Sequence, residues 1–308
     1  MERLCLEESL LRHDSRNWAI VGTHEPVTNR YMHDFRLPAH VEASQNRNSS
    51  CVVVMGIGGK PEELLDVERV REDGVLVLKR FSGGGTVVID HSSIWTTIIG
   101  RTDELPDVEA FPRPIMEWSA NKVFQPTFRN LNETAQTSLS QGKSSTEQPT
   151  LVVDTKSCGA ENSGRVVSRT TIDPGTESPS VDLPDFALRE NDYVLGERKM
   201  GGNAQSITKG GWLHHTSFLW DYDLDNMEYL SLPQKRPDYR GDRHHHDFLV
   251  RLASVYPNLK PHDFAVSFKE ACADEFDVET VMFQDAMKVV GNLTDWFNYK
   301  SRTKVVEL

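Results

Sequence analysis

Leu4, Leu6, Leu10 and Leu11 lie among Glu, Ser and Arg residues and are the apolar positions of a helix expected from Leu4 to Arg12. A strand is expected near Trp18 to Gly22. Cys51-Val-Val-Val-Met55 is apolar at every position, the mark of a buried strand. Val75 to Leu78 and Val87 to Ile89 bracket a run of glycines and read as strand, turn, strand. From Pro61 to Arg71 the pattern is helical, with Pro61 suited to a first helical position and Glu62 and Glu63 to the first turn. Helical periodicity returns after Arg243, over His246 to Val255 and Asp263 to Glu275, followed by a short strand around Glu279 to Phe283.

The pattern fails over residues 130–182. This segment has no aromatic residue and is rich in Ser, Thr, Gln, Gly and Glu, a composition that cannot bury enough apolar surface to offset ordering entropy. It is expected to be a disordered or loosely ordered surface insertion, leaving about 255 residues for one compact domain.

Charge narrows the partners. Lys and Arg total 34 against 46 Asp and Glu, a net charge of −12 that argues against a nucleic-acid surface. No apolar run approaches membrane-spanning length. The N-terminus is acidic and lacks the pattern of a signal or transit peptide, so a soluble intracellular protein is expected, cytoplasmic or in an organelle such as the mitochondrion. Cys5, Cys51, Cys158 and Cys272 have no paired spacing, which fits a reducing compartment.

Two glycine-rich segments carry the candidate chemistry: Arg80-Phe-Ser-Gly-Gly-Gly-Thr86 and Arg198-Lys-Met-Gly-Gly-Asn-Ala-Gln205. Each puts a cation beside bare backbone, where a ligand can approach the main chain and N–H groups can cradle an anion such as phosphate. Each reads as a strand, turn, strand unit. Neither has the spacing of a Walker loop, and Gly83-Gly84-Gly85 runs into β-branched Thr86-Val-Val-Ile89 rather than opening a helix, which excludes a dinucleotide fingerprint. A third cluster, Met55-Gly-Ile-Gly-Gly-Lys-Pro61, is a simple turn or a ligand contact. A lone strand lysine is most often a solvated residue, but Gly201, Gly202 and Ala204 beside Lys199 favour close approach by a ligand. His214-His215 and His244-His245-His246 have no second ligand cluster at metal-site spacing, and no metal centre is expected.

These segments together resemble the lipoate-protein ligases of the biotin/lipoate ligase superfamily, whose motifs read Arg-x-Ser-Gly-Gly-Gly-x-Val and Arg-Lys-x-Ser-Gly-x-Ala, the latter followed by a strand containing His-His. The likeness runs from about Leu4 to Phe283. It implies an α/β (α+β) fold of mixed, largely antiparallel sheets flanked by helices. It also implies a two-step ligase reaction. Lipoate and ATP, with Mg2+, give lipoyl-adenylate, and an acceptor lysine then attacks the carbonyl. The implied acceptors are lipoyl domains of 2-oxoacid dehydrogenase acyltransferase subunits and the glycine cleavage H protein. By the same resemblance Lys199 is catalytic. Arg80, Ser82, Gly83, Gly84, Gly85, Asn191, Asp192, Gly202, Ala204, His214 and His215 would bind acyl group and nucleotide.

The chain departs from the family pattern at several points. Ile89 stands where the first motif ends in His, and Gly201 where the second has Ser. The chain opens at the first helix and stops near the point where many bacterial ligases begin a small accessory domain, so none is expected in it. Two alternatives follow. An octanoyl- or lipoyl-transferase of the same fold would need no ATP, although residues 181–195 lack the cysteine its thiol branch uses. A non-catalytic acyl-adenylate or carrier-binding protein would be consistent with Ile89 but not with the intact Arg80, Lys199 and glycine segments. Biotin ligase fits less well because its glycine motif is arranged differently.

Overall fold

A computed structural model describes residues 1–23, 38–44, 50–141, 151–156, 185–231, 237–292 and 295–308; for 138–141, 151–156 and 245–246 it describes the backbone. The strands in chain order are β1 (Asn17–Thr23), β2 (Cys51–Met55), β3 (Leu76–Lys79), β4 (Val87–Asp90), β5 (Ser93–Arg101) and β6 (Leu151–Lys156), then β7 (Phe186–Arg189), β8 (Asp192–Leu195), β9 (Arg198–Thr208), β10 (Gly211–Leu219), β11 (Asp277–Val281) and β12 (Lys304–Val305). They form an eight-stranded sheet in the order β11-β6-β1-β5-β10-β9-β8-β7 and a four-stranded sheet in the order β12-β3-β2-β4. All pairings are antiparallel except β2 with β3. The fold is therefore mixed α/β with largely antiparallel sheets flanked by helices, as expected.

Strand alternation gives the large sheet two apolar faces. Ala19, Val21, Ile98, Trp212 and Phe218 pack in one core with residues of the helices Pro112–Ser119, Gln125–Gln141 and Pro261–Glu275, including Ile115, Phe128, Phe264 and Phe268. Trp18, Ile20, Ile99 and Leu213 point the other way, into a second core with Leu4, Leu6 and Leu10 of the helix Glu2–His13 and Val52, Val54, Leu76 and Leu78 of the small sheet. The small sheet's outer face, with Val53, Met55 and Val77, is covered by Leu65, Val70 and Tyr229. This explains the unbroken apolar run in β2, which has a core on each side.

Several boundaries differ from the sequence expectation. The stretch 61–71 is two short helices, Pro61–Leu64 and Val67–Glu72, because Leu65 pairs with Leu230 and Asp66 caps the second helix by accepting from Arg69 N–H. The expected helix over 246–255 is likewise two single turns, His245–Phe248 and Leu252–Val255, because Leu249 bridges to Lys199 and Val250 N–H donates to Lys199 C=O at 2.9 Å. The last expected strand ends at Val281, and a short helix starts at Phe283.

Part of the segment expected to be disordered belongs to regular elements. The helix Gln125–Gln141 carries buried Leu131 past residue 130, and β6 pairs with both β1 and β11 inside the large sheet. One apolar run, Leu151-Val-Val153, suffices there because tertiary pairing satisfies its backbone on both edges. The remainder of 130–182 lies outside the described residues. Cys5, Cys51 and Cys272 are free and buried; Cys158 lies outside the described residues. Among the described residues no helix is long and apolar enough to cross a membrane.

Candidate functional site

A cleft of about 640 Å3 opens between the face of β5, β9 and β10 and the edge formed by β2 and β4. Its inner wall is the first glycine segment. Arg80 is 3% exposed and spends its guanidinium on that loop: Nε donates to Ser82 Oγ at 3.0 Å, Nη1 to Val54 C=O at 3.2 Å, and Nη2 to Gly83 C=O at 3.1 Å and Gly85 C=O at 2.8 Å. With no carboxylate among these partners, burial lowers its pKa to about 10, so it remains a cation at neutral pH. Arg80 therefore braces the loop while lining the cleft. Ser82 is fully buried beneath it.

The loop docks on the second motif. Gly83 N–H donates to Gln205 C=O at 2.8 Å. Gly84 has φ +111°, and a Cβ there would lie 2.9 Å from Asn203 C=O and 3.0 Å from Ala204 Cα. Only glycine tolerates both that conformation and that approach. Gly85 faces open space, and the N–H groups of Gly84 and Gly85 have no hydrogen-bond partner among the described residues. The third glycine cluster braces this loop: Ile57 N–H donates to Ser82 C=O at 3.0 Å, and a Cβ on Gly56 would lie 2.2 Å from Gly84 C=O.

Lys199 reaches the cleft through a bulge. The second motif is not strand, turn, strand; its glycines lie inside β9, and the turn precedes Arg198. Perfect alternation would put Lys199 on the face of Gly201. Instead the pairing of β8 with β9 slips between Tyr193 and Val194, and Lys199 lies on the same face as Gly202, where a Cβ would be 3.6 Å from its Nζ. Gly201 faces the other way, against the Phe218 ring. Lys199 Nζ meets Asp192 Oδ1 at 2.7 Å. Asn191 is exposed at the rim, its C=O accepting from Asn203 Nδ2 at 3.0 Å.

The two histidines separate because adjacent strand residues face opposite ways. His214 is not in the cleft. It lies in the aromatic core on the helical side, with Nε2 3.0 Å from Tyr193 Oη and Nδ1 3.1 Å from Gln205 Nε2, and burial lowers its pKa to about 3. His215 does line the cleft. Trp95 Nε1–H donates to its Nδ1 at 3.2 Å, so the other nitrogen, Nε2, carries the proton. Burial, then the charges of Arg80 and Arg3, hold His215 well below its usual pKa, and it is neutral. Its Nε2 is buried without a protein partner among the described residues. Glu7, fully buried behind it, accepts from Arg3 Nε at 2.8 Å and Thr97 Oγ1 at 2.5 Å, and burial raises its pKa.

The structure thus brings Arg80, Gly83, Gly84, Gly85, Asn191, Asp192, Lys199, Gly202, Ala204 and His215 to one cleft, and leaves Ser82 and His214 outside its lining. Sequence reasoning missed Trp95 and Arg240, which also line it, because neither belongs to a glycine motif. Ile89, in place of the family histidine, is part of the wall, whereas Asp90 ties the following turn by accepting from Ser92 and Ser93 hydroxyls at 2.8 and 3.0 Å. Among the described residues no group of three or more His, Cys, Asp or Glu could hold a metal ion.

Known proteins match this chain in sequence and in fold. A sequence model of the lipoyl protein ligase A/B catalytic domain matches residues 46–277. Inactive lipoate–protein ligase 2 of Plasmodium falciparum is 27% identical over 229 residues, covering 68% of this chain and 51% of that protein. The chain spans about half the length of the curated relatives it matches. A Thermoplasma acidophilum structure described as a lipoate protein ligase with bound lipoic acid superposes with a TM-score of 0.56 at 14% identity, covering 96% of this chain and 89% of that one. Lipoate-protein ligase A bound with ATP gives a TM-score of 0.50 at 16% identity, with the same coverage. The structural likenesses establish the fold. Together with the match over most of the sequence, they lead to one conclusion: the chain belongs to the lipoyl protein ligase A/B catalytic-domain family.

Proposed function

We infer that this chain catalyses attachment of lipoate to a lysine of a lipoyl-domain acceptor through a lipoyl-adenylate. The observation that carries this reading is the Lys199 ammonium, 2.7 Å from Asp192, on the same cleft as a glycine loop with unpartnered N–H groups. In adenylation a carboxylate oxygen displaces pyrophosphate from the α-phosphorus of ATP. In transfer the acceptor amine attacks the acyl carbonyl and AMP leaves. Both steps pass through states with charge on the carbonyl and phosphoryl oxygens. A fixed ammonium and free backbone N–H groups stabilise that charge without reorganising. Gly84 and Gly85 supply the N–H groups, and the neutral His215 ring lines the same cleft. The apolar wall of Val54, Val87, Val88 and Ile89 suits a hydrocarbon acyl chain and excludes water from it. Mg2+ would enter with the nucleotide's phosphates, since the residues at the cleft form no carboxylate cluster for it.

The test is to incubate the purified protein with a lipoyl domain and lipoate, with and without ATP and Mg2+, and to read the acceptor's mass. A mass gain only with ATP supports the ligase. A gain only from an acylated carrier selects a transferase. The Ile89 substitution and the relative named inactive favour a second reading, a binding protein, and no gain from any donor would select it.

A further inference from the structure

The Lys199–Asp192 pair has a third member. Asp192 Oδ1 meets the ammonium, and its Oδ2 accepts a hydrogen bond from the Tyr239 hydroxyl at 2.9 Å. Tyr239 sits in the short turn Asp238–Arg240, outside both glycine motifs. Its ring is fixed on two sides, by the Arg189 guanidinium 4.6 Å from its centroid and by the Phe248 ring at 5.2 Å. Burial, then the charge of Asp192, push its phenol well above the ordinary value, so the hydroxyl is a proton donor throughout the neutral range.

The turn that carries Tyr239 is itself clasped. The Glu190 carboxylate accepts the N–H groups of Asp238 at 3.3 Å and Tyr239 at 3.1 Å. Glu190 is the one non-glycine among the described residues with positive φ, 51°. A residue with a Cβ keeps that conformation where surrounding contacts hold it, and such positions concentrate at functional sites. Two residues further on is Asp192. From the other side, Val250 N–H donates to Lys199 C=O at 2.9 Å, and Leu249 pairs with Lys199. Residues 237–250 therefore grip Lys199 twice, through its backbone and through its counter-ion.

We propose that Tyr239 is a positioning residue for Lys199: by occupying the second oxygen of Asp192, its hydroxyl fixes the plane of that carboxylate and hence the aim of the ammonium across the cleft. The site is complete only while the 238–240 turn is docked on Glu190. The effect on catalysis rests on the reading of Lys199 as charge stabiliser; the effect on the side chain's mobility does not.

Tyr239→Phe separates the two, since it keeps both ring contacts and removes only the hydroxyl. The first measurement is independent of activity: a brief pulse of an acetyl N-hydroxysuccinimide ester, with labelling at Lys199 mapped by peptide mass spectrometry against exposed Lys209 as internal reference. Freed from a fixed counter-ion, Lys199 should gain about threefold or more in relative labelling. Glu190→Ala, which removes the acceptor of the Asp238 and Tyr239 N–H groups and leaves the Tyr239 side chain unaltered, should change the ratio in the same direction. The second measurement is acyl transfer, in which Tyr239→Phe should lower kcat about tenfold while KM for the acceptor stays within about twofold. An unchanged labelling ratio in both variants overturns the proposal, whereas a raised ratio with unchanged kcat upholds the positioning and rejects Lys199 as charge stabiliser. A raised ratio in a protein that acylates nothing from any donor upholds the positioning role and rejects the enzymatic reading.

Discussion

Gly84 and Gly85 are neighbours in one motif, yet the structure assigns them opposite sensitivities. In Gly84→Ala the new Cβ meets Asn203 C=O at 2.9 Å, Arg80 Nη2 at 2.9 Å and Ala204 Cα at 3.0 Å, and the backbone is at φ +111°. The backbone conformation costs about 1–3 kcal/mol for a residue with a Cβ. Two of the three contacts are main chain and cannot swing aside, and the third belongs to an arginine held by four hydrogen bonds. A total of about 2–6 kcal/mol follows, the scale of overpacking plus strain. For 308 residues, about 1.5 °C of melting temperature is lost per kcal/mol, so Gly84→Ala should melt about 3–9 °C lower. In Gly85→Ala the Cβ meets nothing within 4 Å, and the melting temperature should stay within about 1 °C. That methyl projects beside the cleft, and affinity for a non-hydrolysable acyl-adenylate analogue should fall instead. Differential scanning calorimetry and isothermal titration of both variants make the comparison. Equal losses of stability would refute the packing of the loop on β9, and unchanged ligand affinity in Gly85→Ala would refute the cradle.

Lys199→Ala should fold normally and lose acyl transfer by about 10²- to 10³-fold, and Lys199→Arg should recover it only in part, because a planar guanidinium does not replace a compact ammonium beside Gly202. Wild-type rates in Lys199→Ala would remove that residue from the mechanism. His214, with a folded pKa of about 3 against about 6.5 unfolded, binds a proton more readily in the unfolded chain. Its contribution is fully present above pH ~6.5 and is lost as pH falls toward ~3, at about 1.4 kcal/mol per unit. Urea unfolding at pH 7 and pH 5 should therefore show a pH-dependent loss about 2 kcal/mol smaller in His214→Gln than in wild type, and equal losses would mean that the ring is not buried neutral. Deleting 130–182 removes Leu131 and β6 from between β1 and β11 and should abolish cooperative unfolding. A cooperatively folding 130–182 deletion would show that β6 is dispensable.

Local sequence carried the elements and the motif. The leucines of Glu2–His13, the apolar run of β2 and the segments flanking Gly83 to Gly85 each declare their state through a period set by backbone geometry, and the paired Arg-Gly motifs identify the family and most of the cleft. Tertiary structure decided what short-range patterns do not encode. Whether His214 or His215 enters the cleft depends on which face of β10 the small sheet covers. Whether Lys199 does depends on one slipped pairing between β8 and β9. Residues 151–156 form a strand because β1 and β11 stand on either side of them, a pairing across more than a hundred residues on each side. Tyr239 and Glu190 carry no motif, and their link to Lys199 exists only in three dimensions. A side chain's direction follows from its own backbone, but its partners are supplied by the rest of the chain.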